Sequence, residues 1–136
     1  MRTTFIAAAL ALMALPALAG QQQPTLDYEY FKIKVQPIFT TKRPGHARCI
    51  ACHASGTPLR LQPLAQGATT WTEEESQKNF NVVKRVASAG ARSRLVVHPL
   101  DEKAGGDFYH SGGKHWTSQD DPEWKVLLAF VQGATK

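Results

Sequence analysis

The sequence predicts a mainly α domain with long loops, and three observations predict it. Apolar residues recur at helical spacing in three stretches, around Tyr28 to Phe39, Phe80 to Ala87 and Trp124 to Val131. The last two open on helix-start chemistry, Thr72 with Glu75 in one and Asp121 with Pro122 in the other. Between the first and second stretches lies Cys49-Ile50-Ala51-Cys52-His53, which on a short helix gathers two thiols and an imidazole at one place. No βαβ pattern surrounds it, and no internal repeat is present.

Residues 1–19 read as a secretory signal. Arg2 supplies the positive start, Phe5 to Leu15 is an apolar run, and Ala17-Leu18-Ala19 offers a small-x-small cleavage pattern. That run is short of the roughly 20 residues a membrane-crossing helix needs, and no second candidate follows, so no transmembrane anchor is expected after cleavage. The product is expected in the periplasm or outside the cell. Residues 20–136 are then one domain's worth of chain. The formal charge of +5 drops slightly with the loss of Arg2. Basic residues are scattered rather than massed with aromatics, which points to acidic docking surfaces on partner proteins and away from nucleic acid.

The first helix is expected from about Asp27 towards Phe39, with Tyr28, Phe31, Val35 and Ile38 or Phe39 on its inner face and Pro37 kinking or shortening its end. Thr40 to Arg48, containing Pro44-Gly45 and His46, is a loop that delivers the chain to Cys49. Ala54 to Pro58 is a turn-rich exit, and Leu59, Leu61 and Leu64 are candidates for apolar cover. The second helix is expected from the capping box at Thr72 to near Gly90, with Phe80, Val83 and either Lys84 or Ala87 facing inward. Trp71 precedes the cap, where it packs either as a staple or on a bound group. Leu95-Val96-Val97 leads to His98-Pro99, and Gly105-Gly106 and Gly112-Gly113 bracket a loop holding His110. The last helix begins at Asp121-Pro122-Glu123, carries Trp124, Leu127, Leu128 and Val131 as one stripe, and stops at Gly133.

Two thiols two residues apart can each form a thioether to one vinyl group of a haem, and the imidazole directly after them then reaches the iron from the same side. Cys49 and Cys52 are therefore expected to hold one covalent haem c, with His53 as proximal iron ligand. A zinc site needs further soft ligands, and these are the only two cysteines. A short disulfide and a redox-active dithiol are the remaining alternatives. Export agrees with the haem reading, because bacteria attach haem c outside the cytoplasmic membrane. Both methionines, Met1 and Met13, leave with the signal, so the mature chain has no thioether ligand for the opposite face. His46, His98, His110 and His115 remain, with lysine or an open position as further solutions. His46 sits too near the Cys49 stretch in sequence to reach around easily. His110 is the expected distal ligand, since Gly112 and Gly113 permit close approach, with His98 and His115 as alternatives.

Tyr30-Phe31, Val35-Gln36-Pro37-Ile38-Phe39, Cys49 to His53, His110-Ser111-Gly112-Gly113 and Asp120-Asp121-Pro122-Glu123-Trp124 follow one another in an order that resembles class I c-type cytochromes. More narrowly, they resemble the small monohaem cytochrome c domains of planctomycetes and acidobacteria, over most of the mature chain. The resemblance implies a cytochrome c-like helical domain around one covalent haem, and a histidine leading a glycine-rich stretch as distal ligand, which maps onto His110. The several histidines available on the distal side favour an electron carrier over an enzyme, because an extra imidazole near an open site tends to close it. A gas-ligand protein or peroxidase with an open sixth site is the alternative, and a haem domain docking within a larger oxidoreductase complex is a third. No catalytic constellation independent of the haem is visible.

Overall fold

The computed structural model describes residues 24–136, so the expected signal at 1–19 lies outside the described residues. The chain is mainly α-helical. An isolated parallel bridge between Leu100 and Trp116 is the β pairing among the described residues. None of their helices is long and apolar enough to cross a membrane.

Asp27 caps the first helix, its carboxylate accepting from the Tyr30 amide at 2.6 Å. α-Helical turns at Tyr28–Tyr30 and Gln36–Thr40 flank a π-helical stretch at Phe31–Val35. Pro37 explains the wide turn. Its ring crowds the carbonyl four residues back and it has no amide to donate, so the Gln36 amide reaches Phe31 O, five residues back, and the helix widens just ahead of the proline. The end is not shortened: the helix accommodates Pro37 by widening and continues to Thr40.

The longest helix, Glu73–Val86, starts on the complete capping box, with Thr72 and Glu75 each bonding the other's amide. It ends at Val86, short of Gly90, and Ala87 rather than Lys84 takes the inward position. Pro122–Val131 forms the last helix, capped by Asp121. Leu95-Val96-Val97, expected only as an apolar segment, lies on a short helix of its own, Arg94–Val97.

Three phenylalanines lock the long helices together. Phe31 lies 5.3 Å from Phe80 and 6.1 Å from Phe130, centroid to centroid, and the two phenylalanines of the first and last helices are fully buried. Each such ring pair adds about 0.5–1.5 kcal/mol beyond the area it buries. The first and last helices do pack together, but the ring that meets Phe31 is Phe130, not Trp124. Trp124 is buried on the first turn of the last helix, where its indole donates to Val96 O at 3.1 Å and so binds that helix to Arg94–Val97. Trp71 packs into the core and donates to Gln62 O at 2.8 Å, while Asn79, fully buried, accepts from the Gln62 amide at 2.7 Å. The loop from Leu59 to Leu64 is pinned by this pair of bonds to the helix Glu73–Val86 and to the residue just before its cap, with Leu61 buried near its start.

Candidate functional site

Cys49–His53 forms the expected short helix, anchored by the buried side chain of Ile50. Cys49 is half-buried, with Sγ 3.8 Å from Ile38 O on the first helix, and Cys52 is exposed; both are free thiols. Burial pushes the Cys49 thiol up to about 11. A thiol that attacks a disulfide needs the opposite, a lowered pKa in an electropositive setting, so Cys49 is poorly made for that role.

Both cysteines face a cleft whose floor is apolar, with Phe39, Leu95 and Leu127 among its walls. His53, His98, His110 and His115 line it as well. The four differ in what their ring nitrogens do. His53 Nδ1 lies 3.0 Å from Leu59 O and 3.0 Å from Thr57 Oγ1, whose hydroxyl itself donates to Leu59 O. A carbonyl can only accept, so Nδ1 carries the ring proton and Nε2 keeps its lone pair. His110 repeats the arrangement: Nδ1 donates to Gly113 O at 2.6 Å. Gly113 turns back at φ +78, a left-handed conformation that suits glycine, and this aims its carbonyl at the ring. The His53 and His110 ring centroids are 6.2 Å apart with planes at 18°. A metal–nitrogen bond of about 2.0 Å puts an imidazole centroid about 3 Å from the ion, so two rings on opposite sides of one ion would stand about 6 Å apart. Burial lowers the pKa of both rings, helped by the neighbouring histidines, so both are neutral at pH 7, the form that ligates a metal.

His98 is differently engaged. Nδ1 lies 2.8 Å from Asp107 Oδ2, and Nε2 lies 3.1 Å from the Arg94 guanidinium, which has no acceptor and so takes up the remaining lone pair. Its ring stands edge-on to His110 at 5.0 Å and supports it. His115 is buried against His46, ring to ring at 4.9 Å, with Nδ1 unpartnered. Leu59 lines the cleft as expected, whereas Leu61 belongs to the core behind it.

The loop carrying His110 is closed at its base. Asp107 N donates to Val97 O at 3.0 Å and Gly106 N to Asp101 O at 2.9 Å, while the Lys114 ammonium donates to His98 O and Asp107 O. A Cβ at Gly106 would stand 2.0 Å from Leu100 O, so no other residue allows this closure. Thr57, Arg94 and Asp107 were not foreseen as site residues. Arg94 and His98, four apart on a helix, carried the one local signal.

On the far side, Arg43 ties the loop before Cys49 to the start of the last helix, at 2.7 Å from Asp121 and 2.5 Å from Glu123. Burial raises the Asp121 pKa, but Arg43 and the Glu123 and Trp124 amides outweigh it, and the carboxyl sits below its usual range. Asp121→Ala removes cap and ion pair together and is expected to cost about 2 kcal/mol, with Asp121→Asn, which keeps the cap, costing less. Because the folded pKa is depressed, this contribution is complete above the ordinary aspartate pKa and fades as pH falls through the lower folded value. Urea melts of the parent and Asp121→Asn should therefore converge at low pH.

No family model, curated relative or solved structure matches this chain.

Proposed function

We propose that the chain is a c-type haem protein, with Cys49 and Cys52 as the thioether attachment points and His53 as the proximal iron ligand. Within that class it acts as a periplasmic or secreted electron carrier with His110 as the distal ligand. The observation that carries the reading is the matched pair His53 and His110: each Nδ1 is held by a backbone carbonyl, each Nε2 is left free, and the separation suits one metal between them. The iron, when bound, supplies one-electron exchange between its ferric and ferrous states. The protein's part is to keep its two imidazoles fixed and neutral. Leu59 O and Thr57 orient His53 and increase its donor strength through Nδ1–H; Gly113 O does the same for His110. Phe39, Leu95 and Leu127 give the cleft an apolar floor against which a flat ring system can be buried. With methionine absent from the mature chain, two imidazoles make a low-potential carrier, since no thioether sulfur raises the potential. Scattered basic residues suit a redox partner with an acidic docking surface.

Absorption and electron paramagnetic resonance spectra of the matured protein test this directly. Low-spin, six-coordinate absorption bands are expected in both oxidation states, with a low-spin resonance from the ferric form and none from the ferrous. A high-spin ferric signal in the resting protein would transfer the assignment to the open-site reading, a gas-ligand protein or peroxidase.

A further inference from the structure

His46 and His115 take no part in the proposed iron site, yet the fold brings them together from loops far apart in sequence. Their ring centroids are 4.9 Å apart, closer than His115 stands to Trp116 or His110, at 6.0 and 6.2 Å. Both backbones are held. His46 N donates to Arg43 O at 3.2 Å and the Lys42 ammonium to His46 O at 2.6 Å, while His115 N donates to Pro99 O at 2.8 Å. His115 is 8 % exposed, and its Nδ1 is buried with no hydrogen-bond partner. The Ala47 carbonyl acts on the same ring as a hydrogen-bond acceptor, which makes Nε2 the protonated nitrogen and leaves Nδ1 a lone pair. A buried acceptor of that kind calls for a partner. Burial first, then the neighbouring His46, lowers the His115 pKa, so the ring is neutral at pH 7, as a metal ligand must be. His46 is half-buried and reaches solvent.

The separation selects the ion. With each imidazole centroid about 3 Å from a shared ion, rings 4.9 Å apart subtend about 110° at it, the tetrahedral angle that zinc adopts. The right angle of a square-planar copper or nickel site would bring the rings to about 4.2 Å. Arg43, whose guanidinium lies over the neighbouring Trp116 ring, is already paired with Asp121 and Glu123, so its charge does not bar a dication. We infer that His46 and His115 form a binding site for a divalent ion of the zinc class, with two imidazoles from the protein and water in the remaining positions. No third ligating side chain joins them among the described residues, so the site is open and exchangeable rather than structural. A bound ion ties the loop before Cys49 to the segment between His110 and the last helix. The site goes beyond the haem reading and does not depend on it.

The test titrates the exported protein, washed with a chelator, with Zn²⁺ alone in a calorimeter. Binding at this site is expected in the parent chain. His46→Gln and His115→Gln are each expected to weaken it at least about tenfold, since even a partner behind a metal ligand is worth that much. His98→Gln should bind zinc as the parent does, because the His98 ring nitrogens are engaged by Asp107 and Arg94. Saturating Zn²⁺ should also raise the melting temperature of the parent and not that of His46→Gln, because the ion binds the folded chain. Should His115→Gln fail to fold, X-ray absorption at the zinc edge of the parent with one equivalent of Zn²⁺ decides: two imidazole nitrogens with oxygen ligands at about 2.0 Å are expected, and any other imidazole count overturns the site. No binding in a large excess of Zn²⁺, or binding undiminished in His46→Gln, overturns it too. Haem content is measured beforehand, so the two readings fail separately. A chain without haem that still binds zinc through His46 overturns the haem reading alone, and a haem-loaded chain indifferent to zinc overturns this site alone.

Discussion

Replacing Cys49 and Cys52 together by alanine is expected to abolish retention of haem through extraction with acidified organic solvent, while the parent chain, produced with an attachment system in an oxidising compartment, retains all of it. The expectation comes first from what Cys49 is unsuited to do. Cys49 has its sulfur against Ile38 O, and burial raises its thiol to about 11. A thiol in that state is a poor attacking group at neutral pH. Two cysteines also fall short of a structural zinc site, and no cluster of three or more metal-ligating side chains is found among the described residues. A covalent haem makes a different demand: two thiols on one cleft wall and one imidazole with a free Nε2, all of which Cys49–His53 delivers. Single variants are expected to keep haem through one thioether, with an altered absorption spectrum. His53→Ala is expected to spoil incorporation or ligation even with both thiols intact. A parent chain that releases its haem freely would reduce Cys49 and Cys52 to a disulfide pair.

Those features were legible because they are local. Thr72 and Glu75, Asp121 and Pro122, and Cys49 through His53 all interact within four residues, so spacing alone announces them. Phe130 and Asn79 show where that logic stops. Phe130 falls outside the stripe drawn through Trp124, Leu127, Leu128 and Val131, yet it is the ring that meets Phe31, because the crossing of two helices selects the face and no single helix encodes it. Asn79 carries no local signal for burial on its charged helix, and an amide from a loop 17 positions earlier holds it in the core. The histidines divide in the same way. In the sequence only the neighbouring glycines set His110 apart from His98 and His115, and the hydrogen bonds that separate the three involve Asp107, Arg94 and Gly113 O. Only the closed loop brings those partners to the rings.

That separation sets the outcome of an alanine scan over the three. His110→Ala alone is expected to turn a low-spin protein into a high-spin one and to raise carbon monoxide affinity at least about tenfold, or about 1.4 kcal/mol of ligand competition removed. His98→Ala should leave the spin state unchanged. His98 has Nδ1 bonded to Asp107 and Nε2 occupied by Arg94, so it has no lone pair to offer; its loss removes only the edge-on support behind His110 and should modestly raise the rate at which carbon monoxide enters. His115→Ala should also remain low-spin, because His115 lies against His46 rather than opposite His53. The geometry of His110 makes the contrast strong. Its Nδ1 bond to Gly113 O holds the ring near parallel to His53 with Nε2 free, on a loop whose base is fixed by the bonds at Asp107 and Gly106. Gly113→Ala offers the complementary result. At φ +78 an alanine is strained, the carbonyl is displaced, and His110 loses the bond that orients it. Carbon monoxide binding should then rise without any ligand being removed. If His98→Ala alone gives the high-spin species, Arg94 must have released its nitrogen, and the distal role passes to His98.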